Sequence, residues 1–345
     1  MRVKPYISPI HALFTHSYHI IIQKLKLESR KTAKNILKAV KLEYNSRHMI
    51  QEASRISKKN LRKQVGLALS GGSARGLAHL GVLSVLEEER IPIDLVAGAS
   101  FGSIVGGLYA CGYSSGQILS KAKEFLAVMQ KRKIDGEHLW DLAHEAFRRE
   151  LGDIQIEDTR IPLAILSLDV SEEKICVFSS GPMFRAIRAS SAFPGLFDPF
   201  LYEGHVYIDG GILNSMLLKI AHDMGAENIL FSEASFLGIV YRKTWVNSLL
   251  NAVLRIVPGH SERQLCNPDR MSELKLIPRI LSIVKRYKKE CEFYRRNLAD
   301  IIIEPKLNGI RPMDFEKFDV AFQRGRAAAL RQIDTVHRLI GPVSG

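Results

Sequence analysis

Nowhere does this chain carry the roughly 18 consecutive apolar residues that a helix needs to cross a bilayer, so a membrane-spanning helix is not expected. Cysteine is sparse: Cys111, Cys176, Cys266 and Cys291 form no Cys-x-x-Cys pair and fall far short of a disulfide scaffold, which suits a reducing compartment. No His/Cys spacing resembles a metal site, and no metal or other cofactor is expected. Internal repeats and low-complexity tracts are absent too. Acidic residues are scarce over one stretch: residues 1–64 hold 15 Lys/Arg against 3 Asp/Glu, nearly all of the formal net charge of +13. Charge this lopsided marks a separate arm.

What remains after those exclusions is a chain of 345 residues, 46% apolar, with ample material for a core. Short apolar runs alternate with helical patterns, as in a wound α/β sheet. The spacing predicts strands at Val65–Leu69, Asp94–Ala97, Leu163–Leu168, Lys174–Phe178, His205–Ile208, Asn228–Phe231 and Asp300–Ile303. Leu77, Leu80, Leu83 and Leu86 predict a helix directly after the first strand.

The most informative segment is Gly98-Ala99-Ser100-Phe101-Gly102, which leaves one of these strands and enters a small-residue helical stretch. A serine between two glycines at a strand-to-helix turn can be held in a strained backbone with its hydroxyl presented at the sheet edge. About 30 residues earlier, Ser70-Gly71-Gly72-Ser73-Ala74-Arg75-Gly76 interrupts another apolar run. About 110 residues later, Val206-Tyr207-Ile208 runs into Asp209-Gly210-Gly211, a carboxylate on a tight turn at a strand end.

In order and spacing, these three motifs resemble the patatin-like phospholipase family. The resemblance runs from about Val65 to about Asp223 and takes in Ala189-Ser190-Ser191-Ala192-Phe193-Pro194-Gly195-Leu196-Phe197. Beyond that it includes the Ala299–Ile303 strand and the helix carrying Phe315, Phe318 and Phe322. It implies a three-layer α/β/α fold with a mostly parallel central sheet. It also implies Ser100 as nucleophile, Asp209 as its only protein base, and backbone N–H donors for an oxyanion from the loop Gly71, Gly72, Ser73, Ala74, Arg75 and Gly76. Two departures stand out: Ser73 replaces a third glycine, and Ser215-Met216-Leu217-Leu218 follows Asn214 where an Asn-Leu-Pro-Val-like run is common. The expected domains are a basic, partly helical extension over 1–64, a catalytic core over 65–225, and a C-terminal continuation of the same α/β domain over 226–345.

The chemistry also follows from the residue types. A serine hydroxyl is a poor nucleophile at neutral pH and needs an adjacent base. A carboxylate with an ordinary pKa near 3.9 is a weak base for that task, and burial improves the match. Preorganised N–H groups at Gly71-Gly72-Ser73 would offset the charge on a tetrahedral intermediate, at about 3 kcal/mol per donor. Arg75, always charged, is expected to tie down its loop without transferring protons.

Rival readings exist. Gly71 and Gly76 with Asp94 make a near miss to a dinucleotide fingerprint, but Asp94 begins a strand where the ribose-binding acid should end one. A classical α/β-hydrolase would need His222, His260 or His337 to complete a triad, and more strands before its nucleophile. The expected function is therefore hydrolysis of phospholipid or lysophospholipid esters through an acyl-Ser100 intermediate. The alternatives are another carboxylesterase, or a membrane-binding scaffold that keeps the fold without turnover.

In the basic arm, Lys24, Lys26, Arg30, Lys31, Lys34, Lys38 and Lys41 alternate with aliphatic residues, a pattern suited to an anionic membrane surface or to a solvated helical extension. No recognised nucleic-acid module accompanies it, and nucleic acid is not an expected partner. Oligomeric state has no signal. His11, Thr15, His16, Ser17 and His19 break up any secretory signal. The expected location is thus cytoplasmic with peripheral membrane association, and secretion without a cleavable signal stays open. Trp245, Leu249, Leu250, Val253 and Leu254 at helical spacing, followed by a basic patch of Lys285, Arg286, Lys288, Lys289, Arg295 and Arg296, predict sheet-covering helices, some of them a possible lid.

Overall fold

The computed structural model describes residues 63–132, 136–194, 196–235 and 268–341. Nearly all of the basic arm lies outside them, as do the Trp245–Leu254 pattern, His260, Cys266 and Gly195.

In chain order the elements are β1 (Val65–Leu69), α1 (Ala78–Glu88), β2 (Leu95–Ala99), α2 (Phe101–Ala110), α3 (Ser115–Arg132), α4 (Gly136–Leu151), β3 (Leu163–Asp169) and β4 (Lys174–Phe178). They continue with α5 (Met183–Ser190), β5 (Phe200–Tyr202), β6 (His205–Asp209), α6 (Met216–Asp223), β7 (Asn228–Ser232), α7 (Pro268–Asn297), β8 (Ile301–Ile303), α8 (Phe318–Leu330) and α9 (Ile333–Ile340). Short 3-10 turns follow the glycine-rich loop (Ser73–Leu77) and Asp209 (Gly210–Leu213).

β8, β7, β1, β2 and β3 lie side by side and parallel. The sequence reads these strands as continuous aliphatic runs because a parallel sheet is covered on both faces; every residue of β1, β2, β3 and β7 is buried. Alternate side chains supply two cores. Val65, Leu67 and Leu69 of β1 join α1, α2, α5, α8 and α9 on one face, while Ala68, Ala97, Leu166 and Leu168 join α6 and α7 on the other. The result is the expected three-layer α/β/α fold with a mostly parallel sheet.

α1 and α8 touch backbone to backbone. A Cβ on Gly325 would run into the Ala78 carbonyl and one on Gly81 into the Phe322 carbonyl, so neither crossing tolerates a side chain. α7 covers the opposite face with Ile280, Ile283, Val284 and Cys291. From Arg279 onward its basic residues lie on the outer side or reach other elements: Arg295 pairs with Glu233 at 2.8 Å and Arg286 donates to the Glu173 carbonyl at 2.8 Å.

β2 extends two residues beyond the expected Asp94–Ala97, to Ala99, because Ala99 still finds a partner in Leu166. Asp94 lies just before the strand, and its carboxylate accepts from the Val65 N–H at 2.8 Å. The expected strands did not include β5, three residues that hairpin onto β6. Too short for a periodic signal, it is held by its partner.

Candidate active site

β3 organises the site through its pairing. Its residues 165–169 carry antiparallel β4 along one edge. The opposite edge is shared: β2 occupies it up to Ala99 opposite Leu166, and antiparallel β6 occupies it from Tyr207 opposite Asp169 down to Asp209 opposite Ser167. Two strands thus approach from opposite ends and stop one register apart. Ser100 follows the last residue of one, and Asp209 is the last residue of the other.

Ser100 adopts φ 51° and ψ −128°, a conformation that L-residues rarely hold. Its surroundings impose it. The Ser100 N–H donates to Ser190 Oγ at 2.8 Å, and Ser190 Oγ donates in turn to the Leu166 carbonyl at 2.6 Å. The Ser100 carbonyl accepts from Ser103 N at 2.9 Å and Ser103 Oγ at 2.6 Å. Close packing explains the flanking glycines: a Cβ on Gly98 would stand 2.7 Å from the Gly102 carbonyl oxygen, and one on Gly102 would meet the carbonyls of Leu69 and Ser70. Ala99 is fully buried in the sheet, and Phe101 packs against Phe315 with ring centroids 6.4 Å apart.

Asp209 is 2% exposed and accepts hydrogen bonds from the Ser100 hydroxyl and, at 2.6 Å, from the Gly211 N–H. Burial pushes its carboxyl up to about 7, against the pull of those two bonds. Gly210 is forced by the Leu166 carbonyl, into which a Cβ would run. Ser215, Met216, Leu217 and Leu218, the departure noted after Asn214, are all buried; the three apolar ones pack in the core beneath the site.

The glycine-rich loop lies directly over this pair. A Cβ on Gly71 would be 3.1 Å from Ser100 Cβ and 3.0 Å from Gly211 Cα. Of the N–H groups expected at the Gly71-Gly72-Ser73 turn, that of Gly71 is already taken. The Gly71 N–H donates to Asn214 Oδ1 at 2.7 Å, because the asparagine after the Asp-Gly-Gly turn faces the loop across the site. Ala74 N donates to the Pro312 carbonyl and Arg75 N to the Gly72 carbonyl. Among the described residues the N–H groups of Gly72 and Ser73 take no such partner. Arg75 is a tie: its Nε donates to the Ala234 carbonyl at 3.0 Å and Nη2 to that of Ser235 at 3.3 Å. Gly76 is pressed against the Phe101 ring.

A second tie escaped sequence reading. His79 is fully buried between Ser232 Oγ and the Ser70 carbonyl, 2.8 Å from each, and burial holds its ring down at about 4, opposed by the bond to Ser70. A neutral ring donating from Nε2 and accepting at Nδ1 satisfies both neighbours. The histidines weighed as triad members stand elsewhere: His222 and His337 lie on outer helices beside Asp223 and Glu89.

From Ser100 and Asp209 a cavity of about 230 Å³ runs between α2, α3, α4 and α5. Ile104, Leu108, Phe125, Phe147, Phe184 and Phe197 give it an apolar wall, and among the described residues no histidine lines it. Its walls at α3 and α4 were not foreseen, although Ile118, Ala122 and Phe125 stand at helical spacing.

Residues 67–222 match the family model of the patatin-like phospholipases, so the chain carries a domain of that family. It is 26% identical over 313 residues to lysophospholipase NTE1 of Coccidioides immitis, covering 88% of this chain and 20% of that protein. It is 30% identical over 300 residues to patatin-like phospholipase domain-containing protein 6 of Mus musculus, covering 79% of this chain and 21% of the other. The chain therefore spans about a fifth of the length of these curated relatives. VipD from Legionella pneumophila superposes with a TM-score of 0.40 at 13% identity, across 79% of this chain and 67% of its own.

Proposed function

We propose that this protein is a serine-dependent lipid acyl hydrolase of the phospholipase A or lysophospholipase type. One observation carries the reading: a buried carboxylate, Asp209, accepts the hydroxyl proton of a strained serine, Ser100, at the head of an apolar channel. The family domain and the printed names of the relatives point to the same chemistry.

Ser100 Oγ attacks the ester carbonyl while Asp209 takes its proton, a transfer favoured by a carboxyl lifted to about 7. The oxyanion meets the N–H groups of Gly72 and Ser73, held in place by Asn214 and Arg75 through their neighbours. Collapse expels the alcohol, which leaves with the proton from Asp209, and an acyl-Ser100 remains. Water then attacks the acyl group as Asp209 takes its proton; fatty acid departs and the serine regains its hydrogen. These steps balance without a metal or cofactor.

The substrate under this reading is a phospholipid or lysophospholipid, and residues 1–64 are the part that meets an anionic membrane surface. No helix among the described residues is long and apolar enough to cross a membrane. The core is read as residues 65–225, and residues 226–345 as part of the same domain, a division supported by β7 pairing directly with β1.

The test is fluorophosphonate labelling of the full chain, with fatty-acid release from mixed phospholipid vesicles. Labelling and release that vanish in Ser100→Ala and Asp209→Ala support the reading. A folded wild type with neither would favour the scaffold that binds membrane without turnover.

A further inference from the structure

We propose that the Lys121–Glu150 ion pair ends the acyl channel and sets the length of acyl chain the enzyme prefers; this rests on Ser100 being the acylated residue. Among the described residues, these two and Asp209 are the only ionisable ones on the channel wall. They stand at its far end. Phe101, Ile104, Val105 and Leu108 line it along successive turns of α2, so the wall extends from Ser100 by eight residues, about 12 Å of helix. The chain then turns: the Tyr113 N–H bonds the Leu108 carbonyl, and α3 starts at Ser115. Lys121 lies two turns into α3, and Glu150 is the penultimate residue of α4.

The pair is built into that end of the fold. Lys121 Nζ lies 2.5 Å from Glu150 Oε2 and 5.3 Å from the centre of the Tyr113 ring, whose hydroxyl reaches the Glu150 carbonyl at 3.5 Å. Their side chains are 30% and 33% exposed, so the pair stands where the apolar wall gives way to water. An acyl chain gains affinity by burying each methylene, about fourfold per CH₂. That gain stops where the next methylene meets an ammonium, a carboxylate and their hydration. Solvent-screened pairs of this kind contribute little to folding, so replacing one by apolar residues leaves the fold intact.

The experiment compares wild type, Lys121→Met/Glu150→Leu and the single Glu150→Gln, all in the full chain. p-Nitrophenyl esters from butyrate to palmitate give kcat/KM against acyl length. Wild type should rise up to one length and then flatten. In the double variant the break should move at least two methylenes longer. Glu150→Gln, which keeps shape and polarity, should keep the wild-type break. The same break in wild type and double variant, with fluorophosphonate labelling intact, would overturn the proposal. Thermal shifts of Ser100→Ala by saturated fatty acids of graded length report the end of the channel without turnover. A break that moves there, in a protein whose wild type neither labels nor hydrolyses, would reject the catalytic reading and keep the channel's end; an unmoved break rejects the end itself.

Discussion

Ala99 and Asp209 take neighbouring places on one edge of β3, opposite Leu166 and Ser167, and arrive there from opposite directions. A hydroxyl on the residue after Ala99 is thereby brought to a carboxylate 109 positions away in sequence without any loop having to reach across. Sites on paired strands are held more tightly than sites on loops, which makes small disturbances of this register informative.

The first concerns pH. Asp209 must be ionised to accept a proton, and burial holds it at about 7. kcat/KM is expected to climb with pH through about 7 and then level, the acid limb of a single group. A pH–rate profile over 5 to 9 with a slow-reacting ester checks it, and a limb near 4 would show that the carboxylate is not desolvated in solution.

The same group has the opposite effect on stability. The unfolded chain releases this proton near 3.9, the folded one only near 7, so folding becomes less favourable as pH rises across that window. Asp209→Asn keeps an acceptor for Gly211 N–H and removes the charge. It should be inactive yet more stable than wild type at pH 8, by roughly 1–4 kcal/mol, and similar to it at pH 4. Chemical denaturation at both values measures the difference.

His79 works in the reverse sense. Its ring is held down at about 4 by burial while the unfolded ring takes a proton near 6.5, so stability is full above about 6.5 and falls as pH drops from there to about 4. His79→Gln should lower stability at pH 7 and flatten this acid-side loss, seen as a shallower dependence of the unfolding midpoint on pH.

Backbone strain at Ser100 gives a comparison of two variants, both expected to be inactive. Glycine tolerates φ 51° where alanine does not. Ser100→Gly should therefore exceed Ser100→Ala in stability by about 1 kcal/mol, although glycine in a relaxed backbone would be the less stable choice. Equal melting temperatures would mean the elbow is not strained.

Ser190 is expected to position the nucleophile, since its one hydroxyl bridges the Ser100 N–H and the Leu166 carbonyl. Ser190→Ala leaves a buried donor unpaired, at a cost of about 1–3 kcal/mol. Fluorophosphonate labelling should slow by tenfold or more, and kcat should fall with KM nearly constant; a loss of stability alone, with labelling unchanged, would assign Ser190 to the fold only.

Much of this arrangement is legible in one dimension. The aliphatic runs of β1, β2, β3 and β7 are continuous because both faces are covered, and the glycines around Ser100 stand where neighbouring carbonyls leave no room for a Cβ. Local sterics and burial leave marks on adjacent residues, so the fold class and the three motifs could be read directly. β5 left no mark, being three residues long and dependent on β6. Asn214 could be noticed as a motif residue, but nothing local says that its amide oxygen takes the Gly71 N–H from across the site.

The sequence by itself determined which groups are present: a serine that can be strained, a carboxylate on a strand end, a loop without side chains and helices with one apolar face. Only packing could decide that β2 and β6 share an edge of β3, that Asp209 is dry enough to hold its proton to about 7, and that α3 and α4 wall an apolar channel whose lining includes Lys121 and Glu150. The division is physical. Conformational preference and hydrophobic period act over a few neighbouring residues, whereas desolvation and cavity shape are set by groups distant in the chain that only packing brings together.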